Sequence, residues 1–288
     1  MQVQSYIAPY LVYSKAKGRT DKTIREHTRL FKNVIVPALG DRELMSLKRV
    51  DAALLEALGR NFGEHGAQRS VCLFRRLMNF VEDSGEPLPF DWRSVNLPRV
   101  PLVPVHSLSD DEMQLVRNNI DVSNIAGLRE RALIELLYDS GMRIGEAVSI
   151  DKKDVDWVNL EIEITNCKTH EKQKVYFTAN TAEWMKRYIE ARKDDLECLF
   201  VSGRGRLLEV TSRNYICQLS HRLNALGLKK RLHHHLFRKT YTTNLLTRGV
   251  NIKAVQILAR HKSERTTLRH YAAVGVDQAK YEYRRVMK

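Results

Sequence analysis

The chain lacks most of what would tie it to a membrane, a secretory compartment or a nucleotide cofactor. No stretch of its 288 residues approaches the roughly 18 consecutive apolar residues that a spanning helix needs. Residues 1–13 show no basic start, apolar run and small-residue cleavage site, so a cytoplasmic protein is expected, with no membrane partner. Cysteine is scarce: Cys72, Cys167, Cys198 and Cys217 stand far apart with no CxxC pair, which excludes a disulfide scaffold and leaves reduced thiols. Also missing are GxGxxG, a GxxxxGK loop, HExxH and GxSxG, so nucleotide-driven, zinc-protease and α/β-hydrolase chemistries lose their main support.

Proline is nearly confined to one place. Five of the seven prolines (Pro87, Pro89, Pro98, Pro101 and Pro104) fall within residues 87–104, where they block helices and stiffen an extended chain. This reads as a linker between two domains, which is also what the length suggests at roughly 150 residues per domain. Acidic residues are missing from another segment: residues 204–271 carry 15 basic side chains and only Glu209 and Glu264 against them. That segment holds nearly all of the formal charge of +14. Solubility needs no such clustering, whereas a polyanion does, because each phosphate neutralised releases condensed counterions.

What is present is mostly helical patterning. Residues 23–34, 52–58 and 68–81 place apolar side chains three and four apart, with Thr20 as an N-cap for the first. Arg25, Arg29 and Lys32 interleave with one stripe, and Arg69, Arg75 and Arg76 with another. Ser109 and Glu112 form a capping box that starts a helix, and Gly141 supplies a left-handed C-cap after residues 128–139. Then the period changes: residues 157–165 and 174–178 alternate around a polar tip at 166–173, which predicts a β-hairpin. Helical spacing returns at 181–192, 211–226, 235–248, 251–259 and 265–273. The fold expected is mostly α with one small antiparallel β-sheet.

Among the residues able to do chemistry, His235 and Arg238 stand three apart on a helix and share a face, where two positive groups can meet two oxygens of one phosphate. His261 and Tyr271 lie downstream and Arg143 far upstream. Each has a plainer reading. Tyr271 alone is a tyrosine at a core edge, Arg143 a surface arginine, and Lys168 one of several lysines at a solvated hairpin tip. His233, His234 and His235, with Cys217 and His221, are zinc-type donors, although their spacing matches no closed four-ligand pattern.

Taken in order, these segments resemble the tyrosine recombinase (phage integrase) family. The first arginine box of that family is similar to Tyr138-Asp139-Ser140-Gly141-Met142-Arg143-Ile144-Gly145-Glu146, and its hairpin lysine to Lys168 in Asn166-Cys167-Lys168-Thr169. Its HxxR box is matched by His235 to Arg238, its third box by Leu258-Ala259-Arg260-His261, and its tyrosine by Tyr271 in Thr266-Thr267-Leu268-Arg269-His270-Tyr271. Two positions depart from the common pattern: Arg260 stands where many relatives have glycine, and Lys239 where a second histidine often follows.

The resemblance implies a helical core-binding domain over residues 1–97, a Pro-rich linker over 98–106 and a mainly α catalytic domain over 107–288. It implies roles as well. Arg143 and Arg238 would clamp the phosphate, Tyr271 would attack it, and His235 would take the phenol proton. Lys168 (or, failing it, Lys172) would protonate the leaving oxygen, His261 would donate to the phosphate, and Glu146 would orient the neighbouring cations. No cofactor and no metal are called for. The partners implied are double-stranded DNA and copies of the chain itself, as a tetramer on two DNA sites passing through a four-way junction. Residues 277–288 are apolar enough at Ala279, Tyr283 and Val286 to dock on a neighbour. Two rivals remain: a non-enzymatic helix-turn-helix binder using residues 251–259 and 265–273, and a type IB topoisomerase, which shares the chemistry without strand exchange.

Overall fold

The computed structural model describes residues 1–63, 65–99, 106–165, 172–203, 205–261, 263, 266–268, 283–284 and 287. The chain divides into two compact units, Met1–Val103 and Pro104–Lys288, with the division inside the proline-rich stretch.

The regular structure of the first unit is helical among its described residues, apart from an isolated bridge between Gln2 and Glu43. Helix α1 (Ile7–Ala16), not foreseen from the sequence, precedes α2 (Asp21–Leu30), whose N-cap Thr20 accepts from the Thr23 N–H at 3.3 Å. A π-turn at Phe31–Ile35 carries the chain into α3 (Val36–Leu39). Pro37 lacks the N–H that would continue the ladder there, a common cause of such a local widening. Helices α4 (Ala52–Arg60) and α5 (Gly66–Asp83) complete the unit, and α5 buries Phe74, Leu77, Met78 and Val81 completely.

In the second unit, α6 (Asp110–Asn118) starts at the expected capping box: Ser109 Oγ accepts from the Glu112 N–H at 3.2 Å, and Glu112 Oε2 from the Ser109 N–H at 2.8 Å. Helix α7 (Ile125–Ser140) is buried nearly all round, with Leu133, Ile134, Leu136 and Leu137 fully enclosed, and so runs through the middle of the core. It also carries Glu135, fully buried and held by Arg117 at 2.7 and 2.8 Å and Arg131 at 2.7 Å. Removing one member of such a buried group typically costs about 3–5 kcal/mol, because the others are left charged and unpaired. Gly141 ends α7 at φ +58°, as expected for a left-handed cap. A Cβ there would also lie 2.3 Å from the Tyr241 ring, so close packing demands glycine as well.

After the short α8 (Ile144–Ser149) come three antiparallel strands, β1 (Val155–Asp156), β2 (Glu161–Thr165) and β3 (Lys172–Tyr176), in that order, with Glu161 opposite Tyr176 and Thr165 opposite Lys172. The first hairpin strand begins later than its alternation suggested. The Asp156 carboxylate accepts from the N–H groups of Val158 and Asn159, both at 2.9 Å, and turns the chain before β2. The second ends earlier, because Thr178 instead caps α9 (Ala179–Ala191) and bonds to Asp139. A further two-stranded sheet, β4 (Val201–Ser202) with β5 (Gly205–Arg206), had no sequence signal. Helices α10 (Glu209–Ala225), α11 (His234–Thr247) and α12 (Ile252–Leu258) follow, close to the expected spans. Of the expected helix at 265–273, residues 266–268 are helical and the rest lie outside the described residues, as do Ala279 and Val286 in the segment read as a docking tail. No described helix is long and apolar enough to cross a membrane.

Candidate active site

Three elements converge on one cluster of charge. The first is the turn from α7 into α8. Arg143 is the N-cap of α8 and, having no acceptor, cannot close a capping box itself. Glu146 supplies the available half: its Oε2 accepts from the Arg143 N–H at 2.9 Å, and its Oε1 from Arg143 Nη1 at 2.7 Å. The Arg143 side chain remains 45% exposed.

The second element is α11, which is pinned to α7 where Asn244 Nδ2 donates to Tyr138 Oη at 3.2 Å. One turn into α11, Arg238 is buried. Its Nη1 donates to the Gly141 carbonyl at 2.6 Å and its Nη2 to the Ala259 carbonyl, so one guanidinium ties the segment before Arg143 to the segment before Arg260. Burial first, then Arg143 and Arg260, push Arg238 down to about 9, with Glu146 and Tyr241 pulling the other way. An arginine keeps its proton at neutral pH regardless. The part of the depression owed to Arg143 and Arg260 reflects crowded positive charge that an anion would relieve.

The third element is the end of α12. The Arg260 N–H bonds to the Ile257 carbonyl at 2.9 Å and the His261 N–H to the Gln256 carbonyl at 3.0 Å, which is a Schellman turn. That turn requires a left-handed residue, and here it is Arg260 at φ +53°. A non-glycine residue pays about 1–2 kcal/mol for this conformation, so glycine would be the unstrained choice. His261 is thus the third residue beyond α12. Its Nδ1 lies 2.9 Å from Thr267 Oγ1.

Arg260 Nη2 reaches Glu146 Oε2 at 2.9 Å, so a single carboxylate serves both Arg143 and Arg260. Burial raises the Glu146 carboxyl, but Arg260, followed by the N–H and guanidinium of Arg143, outweighs it and holds the group below the ordinary carboxylate range. His235, in the first turn of α11, is surface-accessible yet held below its ordinary value by desolvation of the ring and then by Arg238, Arg213, Arg143 and Lys239. It is neutral near pH 7 and able to accept a proton.

Of the residues singled out in the sequence, the structure gathers Arg143, Glu146, Arg238 and His235, with His261 next to Arg260. Lys168 and Tyr271 lie outside the described residues. Lys172, the alternative acid, pairs with Glu163 at 2.7 Å, and that bond raises its pKa and makes it a poorer proton donor. The zinc-type donors do not assemble: Cys217 Sγ is 3.7 Å from His221 Nε2, but no three metal-binding side chains cluster among the described residues. Sequence reasoning registered Arg260 as a departure and missed that it joins the site. The departure from glycine marked the position but did not point to its partner Glu146, 114 residues away.

In the first unit, Arg69 pairs with Glu26 at 2.9 Å. Both line an open groove of about 480 Å³ with Thr23, Gln68 and Arg76.

The chain is 31% identical over 181 residues to the tyrosine recombinase XerC of Leptospira interrogans, covering 62% of this chain and 57% of that one. The chain therefore spans little more than half the length of that relative. It is 26% identical over 276 residues to a probable integrase/recombinase of Acholeplasma phage L2, covering 92% and 91% of the two chains. In fold it is similar to the Tn1549 transposon integrase solved with transposon right-end DNA, at a TM-score of 0.79 and 21% identity over the whole of both chains. It is also similar to a lambda integrase dimer bound to a COC′ core site, at a TM-score of 0.76 and 18% identity over 96% of this chain and 79% of the other. With Arg143, Arg238 and His261 all inside the stretch at residues 106–277 that matches the model of the Phage integrase family, the chain belongs to that family.

Proposed function

We propose that this protein is a site-specific DNA recombinase that breaks and rejoins strands through a 3′-phosphotyrosyl intermediate. The observation that carries the reading is the Arg143, Arg238 and Glu146 cluster, built from segments nearly a hundred residues apart around a buried guanidinium crowded by other cations. A simple DNA-binding protein has no use for a cation held this deep, because phosphate contacts that only position a duplex are made at the surface.

In the proposed reaction the Tyr271 oxygen attacks the scissile phosphorus while His235 takes the phenol proton. The bond to the 5′ oxygen breaks as Lys168 protonates it, giving a 3′-phosphotyrosine and a free 5′-hydroxyl. Negative charge grows on the nonbridging oxygens in between, and Arg143, Arg238 and His261 meet it. A preorganised donor in such a place is worth about 10²–10³ in rate. The phosphotyrosine conserves the bond energy, so the 5′-hydroxyl of a second strand can reverse the step without ATP. The guanidinium groups supply the charge that a metal ion supplies elsewhere, so the reaction runs without a metal. Residues 1–97 would close on the duplex as a core-binding domain. Four chains on two DNA sites would complete exchange through a four-way junction; the lambda integrase, similar in fold, has been solved as a tetramer bound to a Holliday junction.

The test is strand exchange in EDTA and without nucleotide, on a duplex carrying the sequence recovered by crosslinking the protein to DNA in its host. Recombinant strands and a trapped junction are the expected products. Relaxation without exchange would assign a topoisomerase-like activity instead, and binding without breakage a helix-turn-helix binder.

A further inference from the structure

Arg260 combines three features that packing alone does not explain. Its backbone sits at φ +53°, where glycine is the unstrained choice. Its side chain is only 5% exposed. Its Nε is buried with no hydrogen-bond partner among the described residues, although Nη2 holds Glu146 at 2.9 Å and Nη1 donates to the Leu258 carbonyl at 3.3 Å. Glycine would remove the strain, the buried charge and the orphaned donor together. What glycine could not do is share Glu146.

The charge count shows why that matters. Glu146 already binds both the N–H and the guanidinium of Arg143. With glycine at position 260, Arg143, Arg238 and Glu146 would leave one net positive charge. With Arg260 the same group carries two. A phosphodiester has one negative charge and gains more as a nucleophile adds, so the second positive charge is the one that grows in value toward the transition state.

We propose that Arg260 is a positioning residue of this site: it shares Oε2 of Glu146 with the Arg143 N–H, so that the one carboxylate charge is divided between two guanidinium groups while Arg143 stays held in place, and it raises the cluster's affinity for phosphate. The proposal rests on the DNA-breaking reading for its consequence in cleavage but not for its consequence in anion binding, and the experiment separates the two.

Three substitutions divide strain from charge. Arg260→Met keeps the strained backbone and loses the charge, Arg260→Lys keeps both, and Arg260→Gly relieves the strain and loses the charge. Each full-length variant is first melted in inorganic phosphate and in chloride at matched ionic strength, with no DNA present. The rise in Tm specific to phosphate should be lost in Arg260→Met and Arg260→Gly and largely kept in Arg260→Lys, whatever each variant's Tm in chloride. Single-turnover cleavage of the crosslink-derived duplex is then measured beside DNA affinity. Arg260→Met and Arg260→Gly should fall about tenfold in rate, less than for a direct donor, with Kd within about twofold, and Arg260→Lys should recover most of the rate. A full phosphate response in either Arg260→Met or Arg260→Gly would overturn the proposal. A phosphate response that depends on Arg260 in a protein that cleaves no DNA would uphold it and overturn the recombinase reading instead.

Discussion

Arg238 Nη1 donates to the Gly141 carbonyl at 2.6 Å across 97 positions of sequence. Gly141 is also the left-handed cap that ends α7 and lies two residues before Arg143. The same bond therefore sets where the exposed arginine leaves the fold and where the buried one sits. Preorganisation of this kind lowers a barrier because the donors need not rearrange as charge develops.

The two arginines should respond differently to removal. Arg143→Ala takes away a half-exposed side chain, so the fold and DNA affinity should persist while single-turnover cleavage falls about 10²–10³-fold. Arg238→Ala also orphans two carbonyls, so it should lose cleavage and Tm together. Equal proportional losses of binding and cleavage in Arg143→Ala would make that residue a mere backbone contact.

Lys168→Ala should be rescued by a substrate whose 5′ bridging oxygen is replaced by sulfur, since a thiolate leaves without a proton. Lys172→Ala should show no such selective rescue, because Glu163 already engages that ammonium and raises its pKa. Rescue of Lys172→Ala alone would transfer the acid role to Lys172.

The depressed His235 pKa fixes the sign of a pH effect. A histidine held neutral binds fewer protons in the folded than in the unfolded state, so its contribution to stability is intact above the ordinary 6.5 and lost as pH falls through that value toward its lower folded pKa. Cleavage should likewise lose its base on the acid side, with a midpoint below 6.5. His235→Gln should abolish that limb in the pH–rate profile, and an unchanged acid limb would remove His235 from the proton path.

DNA binding should weaken with salt at a slope of about −0.9 per phosphate neutralised. The slope should be smaller than the basic residue count over 204–271 suggests, because Arg206, Arg213, Lys230 and Arg260 are engaged by Asp151, Glu209, Glu112 and Glu146. Lys229, Arg231 and Arg248 are exposed, and replacing any one by Gln should reduce the slope by about one unit. A slope near zero would contradict the electrostatic account.

How much of this was legible in the sequence depended on how local the cause was. The Thr20 cap, the Ser109 and Glu112 box and the Gly141 cap each lie within four residues of what they satisfy, and all three stand where the pattern put them. The start of β2 was misjudged because apolar alternation runs through residues 157–160, while the Asp156 side chain decides the turn. Arg260 was beyond reach for a different reason. Its partner Glu146 is 114 residues away, and nothing in a one-dimensional pattern shows that two helix ends meet.

The attachment point of the DNA tests the central claim most directly. The chain has 11 tyrosines, so composition does not choose among them. With a nicked suicide substrate, the protein should form a covalent adduct whose nucleotide maps by mass spectrometry to Tyr271. Tyr271→Phe, which removes only the hydroxyl, should fold, bind DNA and form no adduct. A nucleotide on any other residue, or an adduct with Tyr271→Phe, would contradict the account.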